Sequence, residues 1–233
     1  ILAEDPMLAA KALKSLTLAN AEIPRPKLGI AQIAEVLGTL QLRSLLLPEA
    51  IRGLFLSRPE VFWKECWEHS LLSAQLSQLI AEMAQYPFPE EAYLAGLLHN
   101  LGAFVLMSRD PERYRQVVRE SIAREEDVET LEESAFGISH SRIGGVLAEK
   151  WLFPRALVLV IKGHHKVDAN ATSPVLNIVS AANGLTEESG IRIGYAQDSA
   201  RQYRSSLKRL NLHHRKVLSL VRRVPRAIVP VSP

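Results

Sequence analysis

The chain has 233 residues, of which 47% are hydrophobic and 23% charged; these proportions are typical of a folded globular protein and exclude a disordered one. Its formal net charge of +3 is too small to indicate nucleic-acid binding by itself, and its single cysteine, Cys66, excludes an internal disulfide and favours a reducing compartment. No apolar run approaches the ~20 residues of a membrane-spanning helix and no signal-peptide pattern opens the chain, so we expect a cytoplasmic protein without a membrane partner.

Helical periodicity runs along the whole chain. The first predicted helix covers residues 5–19, where Asp5 and Pro6 provide an N-cap and a first-turn proline. Apolar residues at helical spacing predict two further short helices, at residues 30–37 and 41–55. The later part of the chain predicts a long helix from about Pro59 to Met83 and then helices at Pro89 to about Leu98, 111–124, 128–136, Ser139 to about Pro154, a segment ending near Gly163, 173–188 and roughly 197–223.

The predicted fold class is all-α, because the chain contains no alternating Val- and Ile-rich runs flanked by hairpin turns. A change in composition near residues 56–60 separates short helices from long ones. We therefore divide the chain into an N-terminal helical subdomain at residues 1–58, a helical core at 59–223 and a tail at 224–233. Residue 1 is not Met and already lies in an amphipathic segment, so we expect the N-terminal subdomain to begin upstream of it.

Residue types that bind metals recur within the predicted helices and at their ends. Glu65 and His69 are four residues apart on the long helix, so both project from one face. The other members of this set are His99, Asn100, His140, His164, His165 and Asn183. Each also has an ordinary interpretation, since a histidine on an apolar helix face is usually a hydrogen-bonded core residue and a histidine at a helix C-terminus complements the helix dipole.

Taken in order, the set resembles the ligand sequence of the HD-GYP subclass of HD phosphohydrolases, which hydrolyses cyclic dinucleotides. In that subclass the positions of Asn100 and Asn183 are aspartates. The GYP signature that follows the histidine pair there is missing from residues 166–172 of this chain. A neutral amide oxygen is a weaker ligand for a divalent ion than a carboxylate, so the resemblance implies a metal site that has lost its hydrolytic chemistry.

Several short motifs are similar to those of the HDOD (HD-related output domain) family, a non-catalytic group of bacterial signalling proteins. These motifs are Asp5-Pro6, Leu16–Asn20, residues 33–47, Gly96–Gly102, the segment from Gly144 to Pro154 and Ile161–His165. The resemblance covers roughly residues 5–220. It implies an HD-domain-like helical bundle that carries the N-terminal helical subdomain.

From this resemblance we expect a regulatory domain that binds a signalling protein or a nucleotide messenger and has no catalytic residue and no cofactor-binding residue. The eight residues from Glu65 to Asn183 would then surround one cavity as the vestige of a metal site. No cofactor is expected, with a divalent transition metal as the alternative. The alternative function is a metal-dependent HD phosphohydrolase that acts on a cyclic dinucleotide.

Basic residues gather toward the C-terminus of the chain. They are Arg201, Arg204, Lys208, Arg209, Arg215, Lys216, Arg222, Arg223 and Arg226. We interpret them as a solvated helix face, because no nucleic-acid-binding motif accompanies them. Nucleic acid is therefore not an expected partner, and binding through this basic region is the alternative.

Overall fold

The computed structural model describes residues 4–18, 29–37, 61–167, 173–196 and 199–221. These ranges contain eleven helices, a further short helical segment at 30–37 and no strand, so the predicted all-α fold class is confirmed. In chain order the helices are α1 (Pro6–Leu18), α2 (Val61–Met83), α3 (Pro89–Leu98), α4 (Leu101–Arg109), α5 (Pro111–Arg124), α6 (Val128–Phe136), α7 (His140–Lys150), α8 (Arg155–Gly163), α9 (Pro174–Glu188), α10 (Ser199–Arg209) and α11 (His214–Val221).

Helix α3 lies at the centre of the larger apolar core. It is apolar on nearly all sides, and seven of its ten residues are buried, including Gly96 and Leu98. A helix of that kind must be surrounded, and α3 contacts α1, α2, α8 and α9. Helix α9 is buried over most of its length as well and packs against α2, α3, α8 and α10. The buried faces of α2, α3 and α9 therefore meet in the interior.

A second apolar cluster joins the N-terminal part of α2 to α4, α5 and α6. Phe62 and Cys66 of α2 pack there with Phe104, Met107 and Tyr114. Leu72, further along α2, belongs to the larger core. His69 stands between these two groups on the same helix, so α2 carries it to the boundary of the two apolar clusters.

The structure corrects two helix assignments. Residues 197–223 do not form one helix, because α10 ends at Arg209 and α11 begins at His214. Asn211 between them takes a left-handed conformation, with φ of 57°, and the backbone N–H of Leu212 donates to the carbonyl of Leu207. This is the usual way in which a helix ends, and asparagine tolerates the required conformation. Helix α4 was not predicted as a separate element, since the break before it carries neither glycine nor proline.

Some sequence predictions fall outside the described residues. They are the helix at residues 41–55, the end of the second helix at Gly38, the boundary near residues 56–60 and the tail 224–233. In the part of the N-terminal region that is described, Leu13 and Ile33 belong to the same apolar cluster as the core helices. Among the described helices, none combines the length and the apolar character that a membrane crossing requires.

Helices α4 and α7 approach each other closely at Gly102 and Gly144. A Cβ added to Gly102 would overlap the carbonyl oxygen of His140 and stand 2.8 Å from the backbone nitrogen of Gly144. These are backbone atoms that cannot rotate away, so we expect Gly102→Ala to lower the free energy of unfolding by about 1–3 kcal/mol in urea denaturation.

Gly163→Ala is the matched control for this substitution. Its Cβ would lie 3.6 Å from a side-chain carbon of Leu176, which is ordinary van der Waals contact, and Gly163 is also helical. Alanine there should be neutral or stabilise the protein by up to about 1 kcal/mol. Equal stability of the two variants would contradict the close approach of α4 and α7.

Candidate functional site

Five imidazole rings form a connected cluster in the interior. The ring centroids of His69 and His99 are 5.4 Å apart, those of His99 and His164 4.9 Å, and those of His164 and His165 4.1 Å. His140 adjoins the last two, at 5.4 Å from His164 and 5.0 Å from His165. His165 is half-buried, whereas the other four are at most 3% exposed. The structure thus brings together five histidines that span nearly one hundred residues of sequence.

The ends of helices α3 and α8 orient two of these rings. His99 is the C-cap of α3, and its Nδ1–H donates to the carbonyl of Gly96 at 2.6 Å. His164 is the C-cap of α8, and its Nδ1–H reaches the carbonyls of Val160 and Ile161, both at 3.2 Å. The last carbonyls of a helix have no partner within the helix, so a histidine there satisfies them. In both residues Nδ1 faces its own helix and Nε2 faces the cluster.

Asn183, in the middle of α9, contacts the other part of the cluster. Its amide oxygen lies 2.8 Å from Nε2 of His69 and 3.2 Å from Nε2 of His99, and its amide N–H donates to Glu187 at 2.9 Å. Nδ1 of His69 lies 3.0 Å from the carbonyl of Ile191. A neutral imidazole carries one proton, so it can donate to only one of two such acceptors. Asn183 thus places an uncharged amide oxygen beside the Nε2 atoms of both His69 and His99.

A buried carboxylate holds His140. Glu132 is fully buried, and its two oxygens lie 2.7 and 2.9 Å from Nδ1 of His140. It also accepts hydrogen bonds from the backbone N–H of His140 at 2.7 Å and from the hydroxyl of Tyr114 at 2.9 Å. Burial by itself lowers the pKa of His140, but the neighbouring carboxylates, chiefly Glu132, outweigh burial and raise it.

Two further charged groups stand at the edge of the cluster. Glu129 accepts a hydrogen bond from the hydroxyl of Ser141 and pairs with Lys166, whose Nζ lies 2.8 Å away. Burial works to raise the pKa of Glu129, but His140, Lys166 and Ser141 lower it to about 2. The Lys166 side chain is mostly exposed, so this pair reaches from the buried cluster to the surface beside His165.

Sequence reasoning missed Glu129, Glu132 and Glu187. Acidic residues in a helix usually lie in solvent, yet two glutamates of α6, Glu129 and Glu132, are buried and face the cluster. One signal was present, because Glu132 follows Val128 by four residues and thus lies on the same face as a buried apolar side chain. Glu187 follows Asn183 by four residues on α9 in the same way.

Two of the eight predicted site residues, Glu65 and Asn100, make no side-chain hydrogen bond to an imidazole of the cluster within the described residues. Glu65 lies on α2 one turn before His69, but its side chain is exposed, at the flank of the buried face that carries Phe62 and Cys66. Asn100 is buried beside His99 and precedes α4, where its carbonyl accepts from Ala103, but its side chain does not cap the helix. Within the described residues, a carboxylate oxygen of Glu132 lies 2.7 Å from Nδ1 of His140, although Glu132 was not a predicted site residue.

A metal ion has one evident set of ligands in the described part of the chain. The candidate ligand atoms of His140, His164 and His165 all lie within 4.8 Å of one another. Nε2 of His140 is 3.4 Å from Nε2 of His164 and 3.1 Å from Nε2 of His165. Imidazole nitrogen suits zinc, copper, iron and nickel, so these three side chains offer a set of ligands for a transition metal.

Comparison with known proteins identifies the family. The sequence model of the HDOD domain matches residues 1–167. In structure, the chain is similar to the MmoQ response regulator of Methylococcus capsulatus, with a TM-score of 0.72 at 21% identity over 94% of this chain and 85% of that one. It is also similar to an HDOD domain protein of Geobacter sulfurreducens, with a TM-score of 0.55 at 24% identity over 95% and 80% of the two chains.

A curated relative is an uncharacterized protein of Treponema pallidum, 23% identical over 188 residues. The match covers 78% of this chain and 36% of that protein, so this chain spans little more than a third of the relative's length. The resemblance to the HDOD family that the sequence motifs suggested is confirmed by the family match.

Proposed function

Because this chain belongs to the HDOD family, we propose that it is a bacterial regulatory module that binds a signalling protein or a nucleotide messenger and does not hydrolyse phosphodiesters. The similarity to a response regulator supports a role in signal transduction. The observation that carries the proposal is the amide of Asn183, an uncharged group in contact with Nε2 of both His69 and His99. In the HD-GYP subclass that the set resembles, an aspartate stands at that position.

The charge around the cluster is arranged differently from what hydrolysis requires. An HD hydrolase needs hydroxide generated on bound metal, and a bridging carboxylate that balances the charge of two ions. Here Asn100 and Asn183 replace both aspartates, and Glu65 is exposed. The buried Glu132 lies behind His140, on the Nδ1 side of the ring. It can orient that ring, but it does not bridge two ions between the imidazoles.

The alternative function, a metal-dependent phosphohydrolase of HD type, is favoured by one specific observation. His140 and His164 both turn Nδ1 to an oxygen acceptor and Nε2 toward the cluster, which is the usual orientation of histidines that bind metal. Bound metal and turnover are separate properties, however. Only turnover distinguishes the hydrolase from a regulatory module that retains part of a metal site.

A phosphodiesterase assay tests the proposal. We expect the purified protein, supplied with Mn²⁺ or Fe²⁺, to release no product from cyclic dinucleotides above the rate of a protein-free blank. Partner capture should survive His99→Ala if that variant folds, because His99 is fully buried and cannot touch a partner directly. Circular dichroism checks its folding, and His213→Ala, at an exposed histidine, is the matched control. Hydrolysis that His99→Ala abolishes and His213→Ala preserves would overturn the proposal.

A further inference from the structure

Charge is divided unevenly along this chain. Residues 1–198 contain 25 acidic and 19 basic residues, a formal charge of −6, whereas residues 199–233 contain nine basic residues and no acidic one. The described part of that basic segment forms α10 and α11. Charge that is segregated in this way steers a partner of opposite sign toward one part of a molecule. The part that attracts a negatively charged partner here is the one formed by α10 and α11.

Three of these cations share the outward face of α10. Arg201, Arg204 and Lys208 follow one another at helical spacings of three and four residues, and all three are exposed. With Ala200 and Ser205 they line an open cavity of about 480 Å³. The opposite face of the helix is buried and packs against α9. From Arg201 to Lys208 the helix rises by roughly 10 Å, so the cations are concentrated on a short stretch of surface.

The charge of this face is not neutralised by carboxylates of its own chain. Within the described residues, the side chains of Arg201 and Lys208 make no ion pair. Helix α5 shows the contrasting arrangement, because two of its basic side chains pair with glutamates of the same helix at 3.1 and 3.4 Å. The open cavity on α5, of about 430 Å³, is lined by three acidic and three basic side chains. A cavity of similar volume is thus balanced in charge on α5 and purely cationic on α10.

Arg204 is oriented before any partner arrives. Its Nε donates to the hydroxyl of Tyr203 at 3.5 Å, and its guanidinium lies over the Tyr203 ring, 5.8 Å from the centroid. That ring is buried, and its hydroxyl donates to Glu188 at 2.9 Å and lies 2.8 Å from Nε2 of His214. A side chain that is already held in place loses less conformational freedom on binding, so it pairs with an incoming anion at a lower entropic cost.

The size and the lining of this face favour a compact acidic protein segment. A nucleic-acid duplex or an anionic bilayer extends far beyond roughly 10 Å and would bring its charge against the acidic remainder of the molecule. Among the described residues that line the cavity, none is aromatic or a large aliphatic residue. The cavity therefore offers no platform on which a base could stack, no apolar wall for a nucleotide and no anchor in a bilayer.

We propose that the outward face of α10 is the docking surface for an acidic segment of a signalling protein, whose carboxylates pair with Arg201, Arg204 and Lys208. This proposal rests on the regulatory function proposed above and names the chemistry of the partner. Exposed ion pairs contribute little to affinity one by one, so the face acts chiefly on the rate of association and on the choice of partner. Its effect should decrease as salt screens the charges.

Fluorescence anisotropy of a labelled glutamate-rich peptide, titrated with the full chain, tests this surface. We expect binding at low salt that is much weaker at about 0.3 M salt. Changing Arg201, Arg204 and Lys208 together to glutamine should weaken binding at low salt by about tenfold or more. The double variant Arg201→Gln/Lys208→Gln, which keeps the bond between Arg204 and Tyr203, should show a smaller loss in the same direction. Circular dichroism checks that both variants fold.

A triple change on α5 is the matched control. Arg113, Arg119 and Arg124 are exposed as well, so changing them to glutamine lowers the net charge by the same amount, and peptide affinity should stay within about threefold.

Three results would each overturn the proposal. They are absence of peptide binding, an equal loss in the two triple variants, and tighter binding of duplex DNA, anionic vesicles or a cyclic dinucleotide through the same α10 residues. None of them alters the outcome of the phosphodiesterase assay, so failure of this surface is distinguishable from failure of the proposed function.

Discussion

Replacing Glu132 with alanine is expected to lower the free energy of unfolding by about 3–5 kcal/mol, the usual cost of removing one partner from a buried ionic network. The carboxylate accepts from the Tyr114 hydroxyl, from the His140 backbone N–H and from Nδ1 of His140. All of these groups are buried, so alanine leaves them without an acceptor, and each orphaned donor costs about 1–3 kcal/mol. A cavity in the second apolar cluster adds to the loss.

Guanidinium denaturation with a chelator present measures this effect without a contribution from bound metal. Glu133→Ala is the matched control, since Glu133 is the next residue on α6 and is exposed, and its loss should stay within about 0.5 kcal/mol. Glu132→Gln should fall between the two, because the amide keeps one acceptor oxygen but turns an N–H toward groups that also donate. If Glu132→Ala proves as stable as Glu133→Ala, Glu132 does not hold the network.

Local signals in the sequence were enough to predict most helix bounds. Pro89 and Pro111 stand at the first positions of α3 and α5, and the side chain of Asp110 accepts from the backbone N–H of Arg113 at 3.1 Å. Such caps act within a few residues of the chain, so the sequence reveals them directly. Where the break depends on a left-handed asparagine, as at Asn211, the amphipathic pattern continues through it and predicts one helix instead of two.

The candidate site was predicted only in part, because its contacts join residues that are distant in sequence. Helical spacing predicted that Glu65 and His69 project from the same side of α2. His69 is buried there, but Glu65 lies at the exposed edge of that side. His69 and Asn183 are 114 residues apart in sequence, so helical periodicity cannot predict their contact. The order of the site residues, which resembles the HD-GYP ligand sequence, did predict it. Glu132 was not predicted because a charged residue in a helix is usually exposed to solvent. Its partners Tyr114 and His140 belong to other helices, so the local sequence does not reveal them.

The buried histidines also determine how stability depends on pH. Burial is the main cause that lowers the pKa of His69, His99, His164 and His165, and neighbouring imidazoles lower it further. The histidines of the unfolded chain have an ordinary pKa of about 6.5, so near and below that pH the unfolded state binds protons that the folded state does not bind. The stabilising contribution of these four residues is therefore present above pH ~6.5 and is lost progressively as the pH falls from that value toward each folded-state pKa.

His140 has the opposite sign, and it offsets part of this loss. Its pKa is raised, so its stabilising contribution is complete below pH ~6.5 and disappears only as the pH rises through the folded-state pKa. The unfolded chain takes up this proton mostly between pH 7.5 and 5.5, so over that range His140 adds at most about 1.4 kcal/mol to stability as the pH falls. Glu129, with a pKa lowered to about 2, loses its contribution only as the pH falls below its ordinary value of 4.5. Between pH 7.5 and 5.5 the histidines with lowered pKa therefore dominate the change in stability, and His140 opposes them in part.

In that range, with a chelator present, we expect the free energy of unfolding to fall by about 4 kcal/mol, because each of the four histidines with a lowered pKa loses about 1.4 kcal/mol and His140 gains at most about 1.4 kcal/mol. Urea denaturation at half-unit steps of pH measures the curve. His99→Gln removes one titrating group, so the loss between pH 7.5 and 5.5 should shrink by about 1.4 kcal/mol whatever the variant's stability at pH 7.5. His213→Ala, at an exposed histidine, should leave the curve unchanged. A flat curve in the unmodified protein would mean that the imidazoles have the same pKa in the folded and unfolded states, and it would contradict the lowered pKa values of the buried histidines.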